Sequence, residues 1–149
     1  MTEVVFYHLQ RQPLEQVLPD LVGKCLERDW RVVVQVGSEE RRDALDAHLW
    51  TWRDDGFLPH GTAKDGHGER QPVWLTTGDD NPNGAAVRVL VDGVEMPDPG
   101  GYRRIMVLFD GNDTDAVDRA RVSWTAARAG GHDATYWQQS ERGRWEKKG

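Results

Sequence analysis

The sequence has a single cysteine, no long hydrophobic run and no excess of positive charge, and each of these absences excludes a class of protein. Cys25 stands alone, so an intramolecular disulfide and a CxxC metal site are both excluded, and its apolar-periodic surroundings predict an inert core thiol. No stretch approaches the ~18 consecutive apolar residues of a membrane span, and the N-terminus lacks the features of a signal peptide. We therefore expect a cytoplasmic protein.

The net charge of −6 argues against binding to duplex DNA, because non-specific DNA affinity depends on a basic surface. The charge is unevenly distributed along the chain. Residues 118–149 contain seven Lys/Arg against four Asp/Glu, whereas residues 1–117 contain twelve against twenty-one. The last part of the chain is therefore +3 and the rest is −9, which places a site for an anionic partner near the C-terminus.

Side chains that could carry chemistry are present but scattered. The five histidines show no HExxH motif and no i, i+4 pair, so we expect no metal ion. His60 has the most notable setting, directly after Pro59, and a hydrogen-bonded structural role is the better interpretation. No serine lies in a Gly-x-Ser-x-Gly motif, and the Asp pairs lie in turn-like sequence. Nothing therefore favours an enzyme.

The 149 residues fit one α/β domain. The nearly continuous apolar residues of the second β-rich run are typical of strands buried on both faces of a parallel sheet. Glycine and proline separate the elements, residues 61–71 read as an exposed loop, and residues 139–149 as a frayed charged tail. The predicted strands are residues 4–9, 31–36, 73–76, 85–91, 104–109 and an edge strand at 134–137; the predicted helices are 14–26, 39–49 and 113–129.

The opening strand, helix and strand predict a βαβ unit, and hence a three-layer, Rossmann-like open sheet that is mostly parallel. The turn after the first strand reads HLQRQP at residues 8–13 and contains no glycine. Without glycine the backbone cannot approach a pyrophosphate closely, so the dinucleotide fingerprint and the P-loop are both missing. We expect no nucleotide and no other cofactor.

The helix predicted at residues 113–129 carries the most informative pattern. Ala116, Ala120 and Ala127 form a stripe of small side chains suited to packing against a sheet. Next to this stripe lie Val117, Arg121, Trp124 and Arg128 at i, i+3/i+4 spacing. Arginine pairs with carboxylates and tryptophan offers an apolar, cation-attracting wall, which together suit an acidic peptide. The alternative is a core-packed Trp124 covered by solvated arginines.

A second cluster of bulky apolar residues follows the preceding helix. Exposed, it would be a protein-docking surface, and buried it would be part of the core; the sequence favours neither. The cluster comprises Trp50, Trp52, Phe57, Leu58 and Pro59.

Several of these segments, in order, resemble the chi subunit of the bacterial DNA polymerase III holoenzyme. They are FYHL at residues 6–9, LDAHLW at 45–50, FLPH at 57–60 and the basic, aromatic helix after Phe109. The resemblance extends from about residue 3 to residue 138. It implies a Rossmann-like fold without bound nucleotide and a non-catalytic adaptor of the clamp-loader complex.

By resemblance, the last helix binds the acidic C-terminal tail of single-stranded-DNA-binding protein. Arg121 matches the key basic position of the family, Trp124 its aromatic position and Arg128 a further basic position. Val117 and Thr125 stand where some relatives carry lysine, so a less positive rim is expected.

The resemblance also implies a second interface, which involves Trp50, Phe57, Leu58 and Pro59. Its partner would be the psi subunit of the clamp loader or a helicase. The rival hypotheses are a small nucleotide- or nucleic-acid-acting α/β enzyme, with a pocket at the strand ends lined by His8 and His60, and direct binding of single-stranded DNA through the aromatic residues.

Overall fold

The computed structural model describes residues 2–10, 12–51, 60–142 and 144–148. In these ranges one sheet of eight strands carries three α-helices, which confirms the predicted α/β fold with an open, mostly parallel sheet. The strands are β1 (Glu3–Leu9), β2 (Val32–Gln35), β3 (Gly61–Thr62), β4 (Val73–Thr76), β5 (Val87–Leu90), β6 (Arg104–Asp110), β7 (Asp133–Gln139) and β8 (Trp145–Lys147). The helices are α1 (Leu14–Glu27), α2 (Glu39–Thr51) and α3 (Thr114–Ala129).

The strand order is β3-β4-β2-β5-β6-β1-β7-β8, and every described pairing is parallel except that of β7 with β8. β1 therefore lies between β6 and β7, although it comes first in the chain. α1 packs against β2 and β6 and contacts α2, whereas α3 packs against β6, β7 and β1. The two sets of helices cover opposite faces of the sheet and complete three layers.

Alternation along β1 sends consecutive side chains into two different cores. Val4 and Phe6 are fully buried in the core cluster beneath α3, and Leu9 lies in the larger cluster beneath α1. The two faces of this strand are therefore both apolar near its middle. A continuous apolar run in the sequence is the expected consequence of such two-sided burial.

Three details of the sequence prediction are wrong. The 134–137 segment is not an edge strand, because β7 pairs with β1 on one side and with β8 on the other. Residues 145–147 of the predicted frayed tail form β8, which is held by the ladder to β7. The predicted loop at 61–71 contains β3 and a short 3-10 helix, and its Gly61, Thr62 and Gly68 are buried.

Arg88 is a polar residue in the middle of a strand that reads as apolar. It is fully buried in β5, and its guanidinium donates to Gln35 Oε1 at 2.8 and 3.0 Å and to Gly78 O at 2.6 Å. It also donates to Tyr102 Oη at 3.0 Å. A buried cation is tolerated because these acceptors replace its water.

Cys25 is buried with a free thiol, as the sequence predicts. In the described ranges, no helix combines the length and apolar character needed to cross a membrane.

Candidate functional site

α3 begins and ends at residues that suit helix termini. The Asp113 side chain precedes the helix and accepts hydrogen bonds from the backbone N–H groups of Asp115 and Ala116 at 3.0 and 3.3 Å. At the other end Gly130 and Gly131 follow, and Gly131 adopts a φ of +82° that favours glycine. The helix is therefore fixed at both ends, and the side chains along it have defined positions.

The stripe of small residues faces the sheet. Ala120 and Ala127 are 4% and 5% exposed and lie in the cluster with Val4 and Phe6, and Ala116 packs at its edge. Small side chains allow the helix to approach the sheet closely. This close approach leaves the next row of larger side chains at the boundary between core and solvent.

That boundary row contains Arg121, Trp124 and Arg128. Trp124 is half-buried against the α3 cluster, and Arg121 and Arg128 are exposed on either side of it. The Arg128 guanidinium carbon Cζ lies 4.8 Å from the centre of the Trp124 ring. Such a cation–π contact contributes about 0.5–1 kcal/mol at an exposed site and holds the guanidinium in place.

The Trp124 indole nitrogen lacks an acceptor. Its Nε1 atom is buried and has no hydrogen-bond partner within the part of the chain that the structure describes. Leaving a buried donor unsatisfied costs about 1–3 kcal/mol. The Nε1 edge of the ring therefore faces the protein interior.

Beneath Arg121 lies a polar pair that the sequence analysis did not include in the site. His8 Nδ1 and Tyr136 Oη are 2.7 Å apart, and the two rings contact Phe109. Burial, and secondly the Arg121 guanidinium, lower the pKa of His8 below its ordinary value of 6.5. Burial raises the pKa of Tyr136 above 10.0, and Arg121 opposes this rise. Arg121 is thus electrostatically coupled to both rings.

The sequence gives little indication that His8 and Tyr136 lie together. Ala134 and Tyr136 alternate along β7 toward α3, but the pairing of β7 with β1 that brings Tyr136 to His8 is not encoded in any local pattern. Only knowledge of the strand order would have joined two residues so far apart in sequence.

Val117 and Thr125 occupy the two ends of the remaining rim. Val117 is half-buried and packs on the α3 cluster, so it extends the apolar wall beside Trp124. Thr125 is exposed, and its hydroxyl donates to the backbone oxygen of Arg121 at 3.0 Å. Neither residue contributes positive charge.

The second predicted interface is only partly within the described residues. Trp50 lies in the last turn of α2, and Phe57, Leu58 and Pro59 lie outside the described ranges. The structure resumes at His60, which is buried and whose Nε2 atom lies 3.0 Å from the Asp46 Oδ1 atom of α2. His60 therefore lies against α2.

A crevice of about 630 Å³ opens at the carboxyl edge of the sheet, between the N-terminal parts of α1 and α3. This is where the chain leaves neighbouring strands toward opposite faces, the usual ligand position of an open α/β sheet. Neither His8 nor His60 is among its described lining residues, and its charged residues are mostly carboxylates. These are Glu15, Asp92, Asp110 and Asp113, with Arg41 and Arg119 as the cations.

The Arg41 guanidinium is already paired within the crevice, with Glu15 at 3.0 Å and Asp92 at 3.2 Å. The N-terminus of α3 is likewise occupied by the Asp113 side chain. A phosphate group would therefore meet carboxylates at this edge. Across the described ranges, no three His, Cys, Asp or Glu side chains are grouped so as to hold a metal ion.

Comparison with known proteins identifies relatives of this chain. Residues 1–135 match the family model described as DNA polymerase III chi subunit, HolC. The chain is also similar to a probable DNA polymerase III subunit chi from Rickettsia prowazekii (strain Madrid E), with 26% identity over 96 residues. That match covers 64% of this chain and 58% of the relative.

Proposed function

We propose, from the premise that this chain belongs to the family of DNA polymerase III chi subunits, that α3 binds the acidic C-terminal tail of single-stranded-DNA-binding protein. Membership of the family makes the chain an accessory subunit of a replicative polymerase. In our proposal it acts without catalysis, as an adaptor that couples the coated single strand to the clamp-loader complex in the cytoplasm.

The observation that carries this proposal is the arrangement around Trp124. One half-buried indole lies between two exposed arginines, Arg121 and Arg128. An apolar wall and two cations match the features of an acidic peptide tail: an apolar terminal side chain, and the negative charges of its acidic side chains and terminal carboxylate.

The tail would bind with a defined polarity. Its acidic side chains would pair with Arg121 and Arg128, and its terminal apolar side chain would pack on Trp124 and Val117. The terminal carboxylate would lie beside it, against Trp124 and Val117. Since both arginines are exposed, salt screens their contribution, and the affinity should fall as the ionic strength rises.

Titration of a fluorescently labelled acidic tail peptide with the whole protein tests the proposal. The double variant Arg121→Ala, Trp124→Ala should bind at least about 30-fold more weakly, since it loses a charge-assisted contact and the apolar wall. The matched control is Arg119→Ala, Val122→Ala, which removes an exposed arginine and the exposed valine from other faces of the same helix. Unchanged affinity in the first variant, or equal loss in both, would reject the proposal.

We further propose that the segment from Trp50 to Pro59 docks the psi subunit or a helicase. The support is the aromatic content of the segment, together with the contact of the next residue, His60, with Asp46 of α2. Co-purification with a candidate partner should be lost in Trp50→Ala, Phe57→Ala and retained in Arg121→Ala, Trp124→Ala. The opposite result would assign that partner to α3.

A further inference from the structure

A second site with arginine and tryptophan lies on the α1 face of the sheet, opposite α3. It is a groove of about 230 Å³, which we call the Trp30 groove. Lys24 and Arg28 come from the end of α1, Tyr7 and Arg104 from β1 and β6, and Trp30 from the turn before β2. Trp145 of β8 completes its outer wall.

Three arginines lie around the ring of Trp30. The guanidinium carbons of Arg28, Arg103 and Arg104 lie 5.1, 5.3 and 5.2 Å from the centre of its ring. Three like charges around one ring repel one another, and among the described residues only Arg104 of the three forms an ion pair, with Glu3 at 3.2 Å. The array therefore holds excess positive charge in a fixed position.

No carboxylate is among the described residues that line the groove, and Lys24 adds a further cation. Glu27 and Asp29 are close in sequence, but neither lines the groove. This composition is the reverse of that in the crevice, where carboxylates predominate. The chain therefore has a local excess of positive charge here, although its net charge is −6.

Aromatic rings continue outward from the cations along the sheet. Tyr7 of β1 is in register with Trp137 of β7, which in turn is in register with Lys147 of β8. The rings of Tyr7 and Trp145 meet edge to face at 5.2 Å, and Trp145 and Lys147 share one face of β8 by alternation. Half-buried rings thus extend across three strands, and Lys147 lies on the outermost of them.

We propose that the Trp30 groove binds single-stranded nucleic acid. Phosphates would lie against Arg28, Arg104 and Lys24, and an unpaired base would stack on Trp145 or Trp137, because cations that follow the backbone and rings that stack on bases are the two elements of such sites. A duplex is disfavoured because its bases are already stacked and cannot reach the rings. An acidic peptide would use the cations but would leave the row of rings without a function.

The inference does not depend on the proposed function of α3. Trp137, Trp145 and Lys147 lie beyond residue 135, where the match to the family model ends. The groove is therefore built in part by residues that are not shared with the family model, and it lies on the other face of the sheet.

The test is a titration of a fluorescently labelled oligothymidylate with the whole protein at low salt. The charge reversal Lys24→Glu, Arg28→Glu changes two exposed side chains on α1 and should weaken binding about tenfold or more. The control Arg70→Glu, Arg119→Glu changes the net charge equally away from the groove and should weaken it less than about twofold. With three phosphates neutralised, the logarithm of the affinity should fall against the logarithm of salt with a slope of about −2.

The stacking contribution is tested separately at Trp145. Trp145→Ala should weaken oligothymidylate binding about tenfold, and Trp145→Phe should restore it to within about threefold of the wild type, because a smaller ring still stacks. Urea unfolding of both variants shows whether β8 remains in place. Equal affinity of Trp145→Ala and wild type, with the fold intact, would remove nucleic acid as the ligand.

Three other outcomes would overturn the inference. They are an absence of oligothymidylate binding at low salt, an equal loss in the two charge-reversal variants, and displacement of the oligothymidylate from the groove by a poly-glutamate peptide at equal concentration. The Arg121→Ala, Trp124→Ala variant separates the two sites. It should lose binding of the tail peptide and keep binding of the oligothymidylate. Loss of oligothymidylate binding would place that ligand on α3, and the tail proposal would still be tested separately by the peptide titration.

Discussion

The α3 site and the Trp30 groove use the same two residue types in different arrangements. On α3, one arginine contacts one indole, and both belong to a single helix with a spacing of four residues. In the groove, three arginines contact one indole, and they come from the end of α1 and the start of β6. The first arrangement is local and open, and the second is assembled by the fold.

This difference has a consequence for stability. On α3 the two arginines are exposed, so they can be changed while Trp124 keeps its contacts with the core. An indole that holds together residues from separate elements contributes to the fold as well as to any ligand. The groove should therefore be the more costly site to mutate, and α3 the more adaptable one.

The largest expected effect concerns the two tryptophans. Trp30→Ala should lower the free energy of unfolding by about 3 kcal/mol and Trp124→Ala by about 1–2 kcal/mol, since both rings are half-buried but Trp30 loses three cation contacts and Trp124 one. Urea unfolding followed by far-UV circular dichroism measures both values. An equal or larger loss for Trp124→Ala would contradict the comparison.

The next prediction compares how the two faces of the sheet contribute to the pH dependence of stability. Burial and Arg121 lower the pKa of His8, so the native state favours the neutral imidazole. The neutral His8 ring therefore stabilises the fold above its ordinary pKa of 6.5, and this stabilisation is lost as the pH falls through the lowered pKa. The protein should therefore become less stable as the pH falls from about 7.5 to about 5. His8→Gln should reduce this loss of stability.

Thermal unfolding at several pH values checks this expectation. Tyr7 and Cys25 in the groove have pKa values raised by burial, so they stay neutral throughout this range and contribute no such change. A pH dependence that is identical in His8→Gln and in the wild type would show that other groups cause it.

A smaller effect distinguishes charge from shape on α3. Arg128→Lys keeps the charge but loses the planar group that lies over Trp124, and it should weaken the tail peptide about threefold. Arg128→Ala should weaken it more, since the charge is also lost. If Arg128→Lys binds as the wild type does, the contact with the ring has no role in binding.

The smallest effect is a gain. Thr125 is exposed on the rim of the α3 site and carries no charge, so Thr125→Lys adds a cation beside Arg121 and Arg128. The tail peptide should bind about two- to threefold more tightly at low salt, with the gain reduced at high salt. The control is Ala44→Lys, which adds the same charge at an exposed position on α2.

Much of this fold could be predicted because its signals are local. Apolar runs located β1, β2, β4, β5 and β6, and helical periodicity located α1 and α3, with ends displaced by one or two residues. The Arg121–Trp124–Arg128 row followed from the helical repeat alone. The core-packed alternative has the same row, since Trp124 packs on the core with Arg128 over its ring, and the tail-peptide titration decides between the two interpretations.

The remaining features depend on contacts between distant segments. β8 was missed because three residues between charged neighbours carry no apolar pattern, and its stability comes from the ladder to β7. His8 and Tyr136 meet because β1 lies between β6 and β7, an order that no local signal encodes. The Trp30 groove was missed for the same reason, since its residues span almost the whole chain.

Tyr7 and His8 are consecutive residues of β1, and alternation directs their side chains to opposite faces of the sheet. Tyr7 lies in the Trp30 groove and His8 lies beneath Arg121. A protein tail and the strand that it accompanies could then be held at the same time, about the thickness of one sheet and its helix layer apart. Binding of one would raise the effective concentration of the other, so two weak contacts would act together as a bivalent grip. Such a contact releases quickly when either end is lost, as the proposed adaptor role would require.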